Sequence, residues 1–352
     1  MYFSLTVRYP CDRLVMKSVL SSNKTPIWRV VSMTDEIRTE DLNPEEFIRD
    51  KVELISSTVG DGLAINALSG GVDSAAVTML GHKALGDRLK TYFVENGLMR
   101  KDEPQQVVDL FAGMGVHVEL IDAQDKFFDA LAGVTDPEEK REGITQTFYK
   151  DVFGQLVRES GAKHLLQGTI LTDVDETVAG IKRQHNVFEQ LGIDTEEAFG
   201  YQILEPLVQI RKDGVRLVAK ALGLPESTCN RMPFPGPALS ARVIGVVTRD
   251  KIELVRQATV ITEEELADVD SFLKLAILHE DRVTGMRDGE REFGFQIEVR
   301  SWESVDARIG KPTRLPYETL ERLADRLVNE VPGVVSVTYN VTNKPPSTME
   351  PI

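Results

Sequence analysis

The stretch Leu63–Ser74, LAINALSGGVDS, constrains this chain more than any other. A short apolar run empties into a turn carrying two glycines, two serines and an aspartate, and a helical segment, Ala75–Leu85, follows at once. The first backbone N–H groups of a helix have no internal partner, and the helix dipole favours negative charge there. A strand that enters a helix through such a turn therefore makes an anion site. Gly70 and Gly71 remove the Cβ atoms that would hold an oxyanion off the backbone. Ser69 and Ser74 add hydroxyl donors, and Asp73 is a carboxylate suited to a magnesium ion escorting phosphates. The alternative is an ordinary strand–turn–helix corner, but Ser-Gly-Gly-x-Asp-Ser fixes five residue types on the element boundary. No Gly-Lys-Ser/Thr follows, so this is not a Walker loop, and the dinucleotide Gly-x-Gly-x-x-Gly is absent from it.

Strands and helices alternate on either side of this turn. Pro44–Val59 reads as a helix capped by Asn43, Leu63–Leu68 as the first strand and Leu89–Val94 as the second. Glu103–Met114 is helical, Val116–Ile121 a third strand, Lys126–Ala132 and Arg141–Ser160 helices, and His164–Gly168 a fourth strand. Such alternation implies βαβ units in a doubly wound parallel sheet, whose ligands bind beyond the carboxyl ends of the strands. The turns Ser69–Ser74, Glu95–Arg100 and Gly168–Glu176 then open onto one rim. At Arg231–Leu239, RMPFPGPAL, three prolines and a glycine interrupt the pattern. That segment cannot continue a helix or a central strand, and it reads as both a linker and a functional loop. Beyond it, a helix over Lys251–Leu266, a strand over Phe293–Arg300, a helix over Tyr317–Val331 and a strand over Val334–Val341 predict a smaller α+β domain.

Charge and composition narrow the partners. A net charge of −15 over 352 residues argues against a protein that grips a nucleic-acid backbone over a broad surface. Two cysteines, Cys11 and Cys229, without a CxxC pair argue against a disulfide framework or structural zinc, making the reducing cytoplasm the default setting. No apolar run approaches the roughly 20 residues that span a bilayer. Residues 1–32 are basic in an otherwise acidic chain and lack an uninterrupted signal-type apolar run. They read as a non-native or disordered extension upstream of Met33, the alternative being an accessory strand.

Ser69-Gly70-Gly71-Val72-Asp73-Ser74 resembles the pyrophosphate loop of the N-type ATP pyrophosphatases, which split ATP between the α and β phosphates and adenylate a substrate oxygen. The fold this implies is that of the adenine nucleotide α-hydrolases. The loop alone does not choose among the branches of that group. Further stretches do. FVENGLMR (93–100), LAGVTDPEEK (131–140), Gln167-Gly168-Thr169-Ile170 and Pro233-Phe234-Pro235-Gly236-Pro237 resemble segments of the GMP synthetases. So do Leu315-Pro316-Tyr317 and the ending Lys344-Pro345-Pro346-Ser347-Thr348-Met349-Glu350. The resemblance runs from about Asp50 to the C-terminus.

This resemblance implies that xanthosine monophosphate is adenylated by ATP and then aminated to GMP. It places ATP on Ser69–Ser74, Val94, Gln167, Gly168 and Thr169, with Asp73 and Lys182 as catalytic residues. Magnesium would lie on Asp73, Asp173 and Glu176. The purine nucleotide monophosphate would be held by Arg231, Pro235, Gly236, Arg242, Lys344, Thr348 and Glu350, a set read as cation-rich enough for a monophosphate. Residues 33–231 become the ATP-pyrophosphatase domain, and 232–352 a dimerisation and acceptor-binding domain of a homodimer. No glutaminase domain is present in the chain, so nitrogen would come from a separate glutamine amidotransferase subunit or from free ammonia.

The departures fall on the acceptor side. Arg183-Gln184 stands where the family has Ser-His, Phe188-Glu189 where it has paired glycines, and Ala238 where it has glycine. A paralogous ligase or sulfurtransferase with another acceptor is therefore the competing expectation.

Overall fold

The structure, a computed structural model, describes residues 36–178, 201–305 and 307–351, together with the backbone of three N-terminal strands. These strands are β1 (Leu5–Arg8), β2 (Arg13–Leu20) and β3 (Pro26–Ser32), paired antiparallel in that order. The backbone described within residues 1–32 is thus a strand meander.

Helix α1 (Pro44–Val59) begins where Asn43 Oδ1 accepts the N–H groups of Glu45 and Glu46, with proline in its first turn. The chain continues through β4 (Ala64–Ala67), α2 (Val72–Leu85), β5 (Leu89–Glu95), α3 (Glu103–Gly113) and β6 (Val118–Asp122). It then forms α4 (Gln124–Ala130), α5 (Pro137–Gln146), α6 (Gly154–Ser160), β7 (His164–Leu166), α7 (Leu171–Val178), β8 (Gln202–Leu204) and α8 (Lys212–Ala221). All pairings in this sheet are parallel, in the order β6-β5-β4-β7-β8. The chain winds outward from β4 to β6, then returns across β4 to lay down β7 and β8. The order reverses between β4 and β7, and the crevice beyond their carboxyl ends is where open α/β sheets bind ligands.

Three local features differ from the sequence reading. The helix expected over Arg141–Ser160 is α5, a π-helical stretch (Thr147–Phe153) and α6. A Cβ on Gly154 would lie 2.7 Å from Tyr149 O, so glycine admits the close backbone approach. Strand β8 and helix α8 were not foreseen; α8 buries Val215, Val218 and Ala219 at helical spacing.

The C-terminal half is built on a long antiparallel hairpin, β9 (Leu273–Arg287) and β10 (Glu290–Ser304). Asp288 and Gly289 turn it, both at positive φ (51° and 83°), as a two-residue loop matched to strand twist requires. Only part of β10 was expected and β9 was not. The other edge of β10 is shared by β11 (Gly310–Pro312), antiparallel, and β12 (Val334–Tyr339), parallel. Helices α9 (Arg249–Glu265) and α10 (Tyr317–Glu330) pack on β9 and β12 and on one another. The expected architecture, a doubly wound α/β sheet followed by a smaller α+β unit, is the one observed.

The proline segment between them is packed. Ala238–Arg242 is buried, and the Leu239 N–H donates to Leu98 O at 2.9 Å. One apolar cluster runs from Leu80, Phe93 and Leu98 through Leu239 and Val243 to Val255, Leu278 and Val299. No helix among the described residues is long and apolar enough to cross a membrane.

Candidate active site

Helix α2 starts at Val72, three residues before the sequence reading put it, so Asp73 and Ser74 belong to its first turn. Gly71 is the N-cap in extended conformation and supplies no side-chain cap. The N-terminal amides thus lack the side-chain oxygen that usually occupies them. The turn is braced from within. Ser74 Oγ accepts the Ser69 N–H (3.1 Å), lies 2.9 Å from Ser69 Oγ and donates to Gly71 O (3.0 Å). Behind it, Asn66 Nδ2 donates to Thr78 Oγ1 at 2.6 Å, and Thr91 Oγ1 donates to Asn66 Oδ1 at 2.7 Å. This buried polar chain fixes α2 against both β4 and β5.

Gly70 is required twice. Its φ is +77°, and a Cβ there would lie 3.0 Å from Arg231 Nη1 and 3.1 Å from Glu103 Oε1. Those two atoms belong to an ion pair behind the turn: Arg231 Nη2 is 2.6 Å from Glu103 Oε1, and Glu103 is only 3% exposed. Arg231 Nη1 also donates to Gly70 O at 2.9 Å. Arg231, expected on the acceptor, is therefore a strut of the pyrophosphate turn in this structure.

The remaining residues expected on ATP gather along the same rim. Val94 is buried near the end of β5, and Gln167 N–H donates to Leu204 O, tying the turn after β7 to β8. Thr169 Oγ1 donates to Glu205 Oε1 at 2.5 Å. A Cβ on Gly168 would lie 3.2 Å from backbone atoms of Asp73 and Ser74, so the turn after β7 rests directly on the first turn of α2.

Asp73 has its two carboxylate oxygens in different circumstances. Oδ2 accepts from Lys212 Nζ at 2.7 Å, whereas Oδ1 is buried and has no hydrogen-bond partner among the described residues. Sequence reasoning missed Lys212, because α8 itself was missed; the signal was an apolar face at helical spacing just after Arg211-Lys212. Asp173 is buried, and its Oδ2 accepts the Ile170 N–H at 3.0 Å, closing the turn that starts α7. Asp175 pairs with Arg211 at 3.0 Å, and Arg211 also holds Glu36 at 2.7 Å. Among the described residues no group of three His, Cys, Asp or Glu could hold a metal ion. The side chain of Glu176, the third expected ligand, lies outside the described residues, as do Lys182 and His185.

On the acceptor side the structure joins Arg242, Glu350 and Thr348. Arg242 is fully buried, donating from Nε and Nη2 to the two Glu350 carboxylate oxygens at 3.2 and 2.9 Å. Its Nη1 is buried without a partner among the described residues, and its guanidinium lies 5.2 Å from the Phe234 ring centroid. Thr348 Oγ1 donates to Glu350 O, and Arg300 Nη1 donates to the Thr348 and Met349 carbonyls. Lys344 enters through its backbone, exchanging hydrogen bonds with Gly310. Pro235 O accepts the Ala238 N–H, and Gly236 is exposed. The charge of Arg242 is thus taken up by Glu350, so the segment is less cationic than its composition suggests. Nearby, burial pulls the Lys140 ammonium down to about 8, and its Nζ donates to Val243 O at 2.8 Å.

Residues 262–351 match the family model described as the GMP synthase C terminal domain. Over 309 residues the chain is 45% identical to a glutamine-hydrolyzing GMP synthase subunit of Archaeoglobus fulgidus, covering 88% of this chain and 99% of that one. The chain belongs to the GMP synthase family. The corresponding GMP synthase subunits of Pyrococcus abyssi (46% over 312 residues) and Methanocaldococcus jannaschii (42% over 313) are matched over 88% of this chain and 99% of theirs. Likeness over nearly the whole length of GMP synthase subunits favours the expected ligase over a paralogue with another acceptor.

Proposed function

We propose that this chain is the synthetase subunit of a two-subunit GMP synthase: it adenylates xanthosine monophosphate with ATP and aminates the adduct to GMP, releasing AMP and pyrophosphate. The observation that carries this reading is an intact Ser69–Ser74 turn at the sheet's switch point in a chain similar over 88% of its length to a GMP synthase subunit. The free amides after Gly71, with Ser69 and Ser74, hold the β and γ phosphates as the α–β bond breaks. Lys212 stands beside the same phosphates and is a second cation for the developing charge. Asp73 Oδ1, buried and unpartnered among the described residues, fits one carboxylate ligand of a magnesium ion, whose charge when bound offsets that of the phosphates. Asp173 and Glu176 complete the proposed magnesium set, and Lys182 the catalytic pair.

The oxygen at position 2 of the xanthine attacks the α-phosphorus; ammonia then adds to the activated carbon and AMP departs. The acceptor is assigned to Pro235, Gly236, Arg242, Lys344, Thr348 and Glu350, with the unfilled Arg242 Nη1 as a donor to its phosphate. Arg231 acts through the pyrophosphate turn. Ammonia comes from a separate glutaminase subunit, and two copies of this chain associate through the 232–352 region in the cytoplasm. Incubation with ATP, xanthosine monophosphate and ammonium should yield AMP and GMP together. Pyrophosphate release only with a non-purine acceptor would overturn the assignment. Glutamine-dependent turnover by the purified chain alone would remove the second subunit, and a monomer by light scattering the homodimer.

A further inference from the structure

We propose that a cavity between α3, α9 and the proline segment, behind the pyrophosphate turn, binds a small phosphate-bearing anion in its protonated, P–OH form. The cavity holds about 300 Å³, and Arg100, Lys101, Glu103, Arg231, Thr259 and Glu263 are among its lining residues. Arg256 lines it as well, so four cations face two carboxylates in a chain whose net charge is −15.

Three of its lining atoms lack the hydrogen bonds that burial demands. Thr259 is 2% exposed, and its Oγ1 has no partner among the described residues. Three positions on, Thr262 makes the ordinary helix back-bond to Ala258 O at 2.8 Å; Thr259 makes none. Arg100 Nε and Glu263 Oε1 face each other at 3.4 Å, yet neither atom has a hydrogen bond among the described residues. A buried hydroxyl left unpaired costs about 1–3 kcal/mol, and Arg100 Nε and Glu263 Oε1 meet only as a long ion pair without a hydrogen bond, so the three atoms call for a common partner.

That partner must accept from a hydroxyl and a guanidinium and donate to a carboxylate oxygen. A protonated phosphate meets all three demands: two oxygens accept from Thr259 Oγ1 and Arg100 Nε, and the P–OH donates to Glu263 Oε1. Sulfate, similar in size but without a proton near neutral pH, would set an oxygen against the Glu263 carboxylate. Lys101, an exposed lining residue whose charge also acts on Glu253, adds to the attraction for an anion. The site is one side chain away from the pyrophosphate turn, because Arg231 lines the cavity and also donates to Gly70 O.

The test titrates inorganic phosphate, then sulfate, into the full chain saturated with an unreactive ATP analogue and GMP, read by calorimetry at neutral pH. One phosphate should bind, with sulfate at least tenfold weaker. Thr259→Val, an isosteric change, should weaken phosphate at least tenfold while leaving the melting temperature and pyrophosphate-release rate as in the parent. Glu263→Gln should bring the two anions within threefold of one another. No phosphate binding with both nucleotides present, equal affinities for the two anions in the parent chain, or unaltered binding by Thr259→Val would each overturn the site.

Discussion

Lys212 Nζ lies 2.7 Å from Asp73 Oδ2, joining the first turn of α8 to the first turn of α2. The pair is partly exposed, so its contribution to stability is small. Its position at the first turn of α2, where the phosphates are proposed to lie, makes it consequential for chemistry instead. Lys212→Met should lower the rate of pyrophosphate release by about 10²–10³-fold, the usual scale for removing one charge-stabilising group. Asp73→Ala should abolish release. Both variants should retain the parent's circular dichroism, and undiminished release by either would take that residue out of the mechanism.

The Arg231–Glu103 pair behaves differently, because Glu103 is buried. Arg231→Met removes the ion-pair partner of a buried carboxylate, leaving it the Arg100 N–H at 3.1 Å, and should cost about 3 kcal/mol in urea unfolding. The double variant Arg231→Met with Glu103→Met should recover most of that loss in stability. It should not recover activity, since Gly70 O has lost its donor. Equal stability of single and double variants would show that the pair carries no coupling.

Ala238 sits at φ +53° in the buried turn that follows the proline segment, a region that costs a non-glycine residue roughly 1–2 kcal/mol. Ala238→Gly gives part of this back to unfolded-chain entropy, so the expected gain is about 1 kcal/mol, read as a higher urea midpoint at unchanged slope. A destabilised glycine variant would refute the strain.

Glu298 supplies an acid-side prediction. Burial pushes its carboxyl up, but hydrogen bonds with His279, Arg300 and Asn340, with the Arg300 charge, more than offset this and bring it down to about 2. A folded-state value below the unfolded one means the unfolded chain binds more protons as the medium acidifies. The Glu298 contribution is therefore complete above about pH 4.5 and is lost as pH falls towards 2. Glu298→Gln should lower stability at pH 7 and flatten the stability profile between pH 5 and 2. A parallel fall in parent and variant would place the acid sensitivity elsewhere.

The strand–turn–helix boundary at Ser69–Ser74 was legible because its signal is local: an apolar run, then glycines, hydroxyls and one carboxylate, mark it without knowledge of the fold. Strand alternation likewise gave the parallel sheet and its rim, and the Asn43 cap located α1. Long-range partners were not legible. Lys212 lies 139 residues from Asp73, and only the β7–β8 crossover brings α8 over α2. Arg231 read as an acceptor residue, and its contacts with the distant Glu103 and Gly70 O could not be read from its place in the sequence. The hairpin partner β9 was lost for a related reason. Its first half, Leu273–Leu278, is buried on both sides and does not alternate.

The apolar cluster that passes through Leu239 and Val243 makes the proline segment a seam rather than a hinge. Leu239 bonds to Leu98 and Val243 to Lys140, and beside the segment Arg256 of α9 bonds to the Gly97 and Met99 carbonyls of the loop after β5. Heat should therefore melt the two sheets as a single calorimetric unit. A chain severed at Arg231 would surrender hydrophobic surface on both new faces, so neither fragment would inherit the stability of the whole.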